Sequence, residues 1–499
     1  MIRKRGYSTL LLVLLTGYLS LVCFRASAQV ANTGSVQGAV ADQSGASVPD
    51  AAVVLANVAT GATLAVQTDA SGAFGFPVVA VGRYTLKVNR TGFKTFVQSD
   101  FTVNAASPVR FNVSLAVGDT SEQVTVTDTP PTVNTVTASE GNTVTGRQLN
   151  ELPLTNRLFT QLVLLEPGVA APVDQTPGFG SNSSVEFNMN GVRSDENNLM
   201  IDGVRNLDTF GGNAFITPNL FAVSEFRIEN SSYAAATGRS AGGQVNLISR
   251  AGTNQFHGNA FEFFRNDALN ARNFFANSIP QNRYNDFGYD VGGPIKKDKI
   301  FFFWSEEWRR IIQSGGTRLA IVPTDAQRAG DFSSLLNGSS PQIIKNPTTG
   351  APYPNNVIPP GQIDPNATLL LNTYFPEPTP GFSNGSFNFV SSVPDFTRWR
   401  EESLRLDDRI TNKLSAYVRL TQDNVQLQNP YGLFGENSLP FVGGSTQVYP
   451  IYHIALNVTY TPTPAFISEF TWGTYRDNDK FLQNGPMSSR TRATGLNIP

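Results

Sequence analysis

"IYHIALNVTY", Ile451 to Tyr460, decides how the C-terminal half of the chain folds. Tyr452, Ile454, Leu456, Val458 and Tyr460 occupy one phase of a two-residue period. His453, Ala455, Asn457 and Thr459 occupy the other. A period of two belongs to a strand, whose successive side chains point to opposite faces. The apolar phase must meet either a protein core or lipid. Tyr452 and Tyr460 bracket roughly 26 Å of strand at about 3.3 Å per residue. That span suits two interfacial aromatic girdles on a tilted membrane strand.

Neighbouring segments repeat the pattern. Leu414, Ala416, Val418 and Leu420 alternate with Lys413, Ser415, Tyr417, Arg419 and Thr421; Phe466, Phe470 and Trp472 oppose Glu469 and Thr471. The alternation predicts strands near 256–265, 284–292, 299–311, 398–409, 412–423, 451–461 and 465–476. Phe261, Phe263 and Phe264 put aromatic residues on both faces of the first of these. The links sort by length. "GPIKKD", "ITN" and "PTP" are short, whereas Asn266 to Arg283, Ile312 to Thr397 and Asn424 to Pro450 are long. Strict alternation of long and short links is the asymmetry of an outer-membrane barrel, with long loops outside and short turns in the periplasm. Residues 251–499 are therefore expected to form barrel strands, with 312–397 a long extracellular loop.

The composition agrees. Charged residues make up only 15 %, while Gly (43), Pro (31) and Phe (35) are abundant. That mix favours short strands and turns over helices. A net charge of −2 gives no electrostatic pull toward nucleic acid. Residues 1–28 fit a signal peptide: "MIRKRG" is basic, Tyr7 to Phe24 is apolar, and Ala26-Ser27-Ala28 matches a cleavage site. An uncleaved anchor helix is the alternative. Cys23, the sole cysteine, lies in this segment, so the mature chain is expected to have no disulfide. No later run is apolar enough for a transmembrane helix.

Two further zones precede the barrel. Residues 34–117 carry short alternating runs punctuated by turns, as at Asp69 and Gly72 or Val81 and Gly82. This is a complete sandwich pattern, expected to fold without borrowed residues. The zone from 121 to 250 opens on "EQVTVTDTPP", a strand-like tether with no evident pairing partner. Thr145 is placed to cap a helix over "GRQLNEL", which Pro153 ends; Leu158, Leu162 and Leu165 suggest a second amphipathic turn. "VEFNMNG", "NNLMIDGV", "AVSEFRIE" and "GGQVNLISR" read as strands.

Catalytic patterns are missing. His257 and His453 lie in different predicted strands, without metal-ligand spacing. "GRSAGGQ" lacks the lysine of a phosphate loop. Asp407 and Asp408 are strand neighbours facing opposite ways. No catalytic, metal or cofactor residues are assigned, and no enzyme is expected.

Residues 34–117, with "SGASVPDAAV" and "GRYTLKVNRTGF", resemble a carboxypeptidase regulatory-like domain, which implies a seven-stranded β-sandwich without peptidase activity. "LPLTNRLFTQLVLLEPGV", "FNMNGVRSDENNLMIDGV" and "ISRAGTNQFHGNAFEFFRND" resemble the plug and plug-to-barrel junction of a TonB-dependent outer-membrane receptor. The order of zones, with the Pro/Gly-rich "IIKNPTTGAPYPNNVIPPGQIDPNATLLLNTYFPEP", is similar to the Oar-like branch of that family. The resemblance implies a mostly β chain: an N-terminal β-sandwich, a small α+β plug, and the first part of a transmembrane β-barrel of about 22 strands. The chain stops at Pro499 after an odd number of predicted strands, so it is expected to be the N-terminal portion of a longer protein.

The resemblance also gives the tether a role. "EQVTVT" (Glu122, Gln123, Val124, Thr125, Val126 and Thr127) is similar to a TonB box, the strand that pairs with the periplasmic protein TonB by β-augmentation. An interdomain linker is the alternative. Solute contacts in such receptors come from plug apices, which would fall near Gly178–Ser183, Arg193–Asn197 and Arg205–Ala214. Arg193, Asp195, Arg205, Asp208 and Phe210 are the substrate-binding candidates. Alternatively, Arg193 and Arg205 pair with lumen carboxylates. Polar, aromatic loops suit a glycan or peptide. The implied partners are TonB, outer-membrane lipid and a solute or surface ligand. The implied functions are energised uptake, or a structural or adhesive surface role.

Overall fold

The computed structural model describes residues 32–485 and 495, apart from 127–139, 153, 155–156, 171–186, 208–213, 234–237, 239, 273, 275–277, 338–339, 433–437 and 464–465. The expected targeting segment and Cys23 lie outside the described residues. Among the described residues no helix is long and apolar enough to cross a membrane, which says nothing of crossing by strands.

The first unit comprises β1 (Thr33–Asp42), β2 (Ala52–Asn57), β3 (Thr63–Gln67), β4 (Ala73–Ala80), β5 (Gly82–Asn89), β6 (Thr95–Val103) and β7 (Pro108–Leu115). One sheet runs β4-β1-β7 and the other begins β3-β2-β5-β6. Alternate residues from both sheets, among them Val36, Val53, Leu55, Leu86 and Phe101, make the core between them. The Asp69 carboxylate accepts the N–H of Ser71 at 2.8 Å and of Ala73 at 2.9 Å, closing the predicted turn. Gly38 is required by close approach. A Cβ there would stand 2.3 Å from the Phe111 carbonyl and 2.7 Å from the Phe74 ring.

The tether is not free. Gln123–Val126 forms β8, which lies parallel to β6 and makes the second sheet five-stranded. The expectation of an unpaired tether is corrected here; the seven strands expected of the sandwich are β1 to β7, and β8 is added at its edge. The edge of β6 would otherwise present unpaired N–H and C=O groups. A turn closed by Ser121 N–H on the Asp119 carboxylate (2.9 Å) brings the next β-branched run back onto that edge.

The middle unit contains β9 (Glu140–Thr145), α1 (Gly146–Glu151), α2 (Thr160–Val163), β10 (Val169–Ala170), β11 (Asn188–Met189), β12 (Asn198–Ile201), β13 (Val204–Arg205), β14 (Val223–Ser231) and β15 (Gln244–Ser249). Its main sheet runs β13-β12-β15-β14-β9, which leaves β9 at an edge. Thr145 is the N-cap of α1, and the Gln148 side chain accepts its N–H at 3.0 Å, as the sequence predicts. Leu158 and Leu162 are buried, but Leu165 is 65 % exposed, so the second amphipathic turn is shorter than expected. Asp202 and Gly203 both have positive φ (53° and 74°) in a two-residue hairpin between β12 and β13. This is the geometry that favours Asp-Gly.

The third unit is a long antiparallel wall. Its strands are β16 (His257–Asn266), β17 (Asn282–Lys296), β18 (Ile300–Ser314), β21 (Pro394–Thr411), β22 (Leu414–Asn429), β23 (Ser445–Thr463) and β24 (Phe466–Arg476). They pair in chain order, and β25 (Lys480–Gln483) folds back onto β23. Every expected strand is present, and several extend farther at the long-link end. Between β18 and β21 lies a lobe with β19 (Arg318–Ala320), α3 (Asp325–Arg328), α4 (Pro365–Tyr374) and β20 (Phe389–Ser391). The Arg328 guanidinium ties it by donating to the carbonyls of Leu371 (3.0 Å), Phe375 (2.9 Å) and Pro376 (2.8 Å).

The wall inverts the burial of a water-soluble sheet. Leu420, Tyr452, Tyr460, Phe470 and Trp472 are 42–56 % exposed, while Arg419, Thr421, His453 and Asn457 on the opposite phase are buried. The buried phase is the inner face, against which the middle unit packs. One continuous core joins Phe159, Leu199, Phe226 and Leu247 of the middle unit to Trp399, Val425, Tyr449 and Ile451 of the wall. The apolar outer face is that of a lipid-facing wall. Phe261 and Phe263 share the inner face, where Phe221 stacks on Phe261 at 4.4 Å, and Phe264 points outward. The aromatic residues on both faces of β16 thus have separate roles.

Candidate functional site

The coupling candidate is built on the sandwich edge. Thr95 N–H donates to the Glu122 carbonyl at 2.8 Å, and Thr95 Oγ1 donates to the Thr120 carbonyl at 2.9 Å. Lys94 Nζ meets the Glu122 carboxylate at 2.6 Å. Registered pairs follow at Thr95–Gln123, Phe96–Val124, Val97–Thr125 and Gln98–Val126. The side chains of Glu122, Gln123, Val124 and Thr125 are exposed. Thr127 lies outside the described residues. Beyond β8 the chain continues to β9, the edge strand of the middle sheet.

Two polar contact regions hold the middle unit to the wall. In the first, the β12–β13 hairpin carries Asp202 to Arg419 (Nε–Oδ2 2.6 Å) and toward Arg405 (3.7 Å). Ser249 donates to the same carboxylate from its N–H (2.9 Å) and Oγ (2.7 Å). Burial opposes charge on Asp202, but Arg419, Arg405 and Ser249 outweigh it and hold the carboxyl below its ordinary range. In the second, Arg157 reaches Asp286 (3.5 Å) and lies 3.8 Å over the Phe263 ring. Arg309 bridges Asp286 (3.4 Å) and Glu307 (2.8 Å), and Glu401 accepts the Asn219 N–H at 2.9 Å.

Sequence reasoning did not single out Asp202, Arg157, Arg405 or Arg419 as contacts. A signal was available for three of them. Asp202 begins an Asp-Gly hairpin, and Arg405 and Arg419 lie on the inner phase of their strands, where a charge needs a partner.

The sandwich docks on the middle unit through polar contacts. Glu225 of β14 accepts the Ala105 N–H and Asn246 of β15 donates to Asn32 at 2.8 Å, while the Asn254 N–H, on the link into the wall, donates to the Ala59 carbonyl at 2.9 Å. Burial pushes the Glu225 carboxyl up to about 7, against the Ala105 bond and the Arg227 charge. A carboxyl raised in the folded state binds more protons there than in the unfolded chain, so stability falls as pH rises from the ordinary value of 4.5 toward about 7. The docked arrangement should be firmest at or below pH 4.5 and lose on the order of 3 kcal/mol by pH 7.5. The check is protection of the Ala105 amide from hydrogen exchange, corrected for intrinsic rates. Glu225→Gln should flatten the profile, and protection that rises with pH would contradict the assignment.

The apex candidates do not converge on one site. Arg193 pairs with Asp195 of its own turn at 2.6 Å, and both are exposed. Arg193 therefore has a local partner rather than a wall carboxylate. Arg205 lies in β13 opposite Met200, half-buried near the hairpin. Asp208, Phe210 and the stretch Gly178–Ser183 lie outside the described residues.

Comparison with known proteins fits this architecture. Residues 35–116 match the carboxypeptidase regulatory-like domain family. The chain is 28 % identical over 295 residues to the TonB-dependent transporter Oar of Myxococcus xanthus; the match covers 56 % of this chain and 27 % of that protein. The chain thus spans about a quarter of the length of this curated relative. Similar solved structures include the outer-membrane transporter YddB of Escherichia coli, with a TM-score of 0.44 and 9 % identity over 68 % of this chain and 39 % of that one. The ferric enterobactin receptor of Pseudomonas aeruginosa gives 0.36 and 11 % over 70 % and 46 %. Residues 248–499, just over half of the chain, match the outer membrane beta barrel domain family. The chain belongs to that family, and its place is the outer membrane of a Gram-negative-type cell.

Proposed function

We propose that the chain is part of a TonB-dependent receptor that imports a scarce solute across the outer membrane. In this reading residues 34–117 are a periplasmic sandwich, 121–250 carry the TonB box and plug, and 251–499 supply barrel wall. The observation that carries it is the continuity from β8 to β9. Force applied at Glu122–Thr127 reaches the edge strand of a sheet that is latched into the wall by Asp202 and Arg419. Pulling would peel β9 from β14 pair by pair, from Glu140 toward Thr145. No catalytic step enters this function, which agrees with the transporter named among its relatives.

The solute class we favour is a glycan or peptide, met by the outer loops and the apex with Arg193, Asp195, Arg205, Asp208 and Phe210. A structural or adhesive role is the second reading, favoured by the ordered lobe that Arg328 ties together. The deciding experiment compares depletion of glycans and peptides from medium by cells with and without the gene, before and after a protonophore. Energised uptake predicts depletion that needs both the gene and the proton-motive force. Equal depletion in all arms, with altered cell-surface attachment, would replace transport by adhesion.

A further inference from the structure

We infer that the sandwich stows the coupling strand, and that TonB and β6 compete for Glu122–Val126. The inference rests on the coupling reading above and adds its regulation. The same backbone proposed to pair with the partner is already paired with β6 over four registered residues. Outside that pairing, Lys94 and Thr95 fix the strand's start through the Glu122 carboxylate, the Glu122 carbonyl and the Thr120 carbonyl.

The pairing is only four residues long, and on β8 Gln123, Val124 and Thr125 keep their side chains exposed, so it is weak enough to reverse. Backbone hydrogen bonds, each of modest net worth, make the released state a minor one, reducing apparent partner affinity about 10- to 100-fold. Release also changes reach. Zipped, the strand lies against a sandwich that is itself docked on the middle unit through Ala105 and Asn32 and on the link into the wall through Ala59. Unzipped, the chain between Leu115 and Glu140 would span up to about 80 Å when extended. A partner anchored across the periplasm meets the strand far more readily in the second state.

The experiment measures binding of the periplasmic domain of TonB to the intact receptor in detergent. Val97→Cys with Thr125→Cys places a disulfide across a registered pair, within the reach of neighbouring strands. Cys23, the only native cysteine of this chain, lies in the expected targeting segment. Stowage predicts that the oxidised protein binds at least tenfold more weakly than the same protein reduced. Lys94→Glu lies outside the coupling segment and repels Glu122; it should tighten binding about threefold to tenfold. Equal affinity of oxidised and reduced protein would overturn stowage, because TonB would then be adding to the open outer edge of β8. If no form binds, the coupling reading falls and stowage falls with it.

Discussion

Changing Arg419 to alanine should destabilise the seating of the middle unit by about 3–5 kcal/mol, because it leaves a buried carboxylate uncompensated. Arg419 is 2 % exposed and Asp202 1 %, so neither charge has water to fall back on. Arg405, at 3.7 Å, is too far to replace a 2.6 Å pair fully, which argues for the lower part of that range. The effect should appear as faster hydrogen exchange in the β12–β13 hairpin and as leakage of large antibiotics through the outer membrane. The β14–β15 pair, deeper in the core, should move less. Asp202→Asn combined with Arg419→Met removes both charges and should recover much of the loss, since replacing a buried pair is far cheaper than breaking one. If Arg419→Ala leaves hairpin exchange and permeability unchanged, the Asp202 contact does not latch the unit.

The latch also marks the limit of what sequence alone could supply. The wall was legible because its signal is local: two-residue alternation and link lengths are properties of the chain, and all seven expected strands form. The sandwich was legible for the same reason. What escaped was pairing between distant segments. Nothing near Asp202 announces Arg419, more than two hundred residues later, although each residue alone is placed suggestively. Phe261 and Phe263 looked like a break in alternation because their partners, Phe221 and Arg157, belong to another unit. The tether failed differently. Its strand propensity was evident, but propensity does not name a partner, and the adjacent edge of β6 was closer than any other chain. The partner of Arg193 proved to be a near neighbour in sequence, Asp195, rather than a carboxylate of the wall.

Val124→Pro should reduce energised uptake to the background of a strain lacking the gene, at least tenfold below wild type, with normal amounts in the outer membrane. Proline removes the backbone N–H at the centre of the Glu122–Thr127 segment and obstructs strand pairing on that side. Val124 is 41 % exposed and packs in neither the sandwich core nor the core shared with the wall, so the substitution has little folding cost to impose. The variant affects both partners of the strand. It weakens pairing with β6, which alone would raise access, and it weakens pairing with TonB, which alone would lower coupling. On the proposed coupling, transport would need the second pairing to bear load, whereas the first would only delay it, so loss of uptake should dominate. The accompanying measurement is exchange of the Thr95 amide, which should quicken as its Glu122 acceptor moves away. Quickened exchange with unchanged uptake would show that β8 was unzipped without consequence, and Glu122–Thr127 would then be a linker between the sandwich and the middle unit.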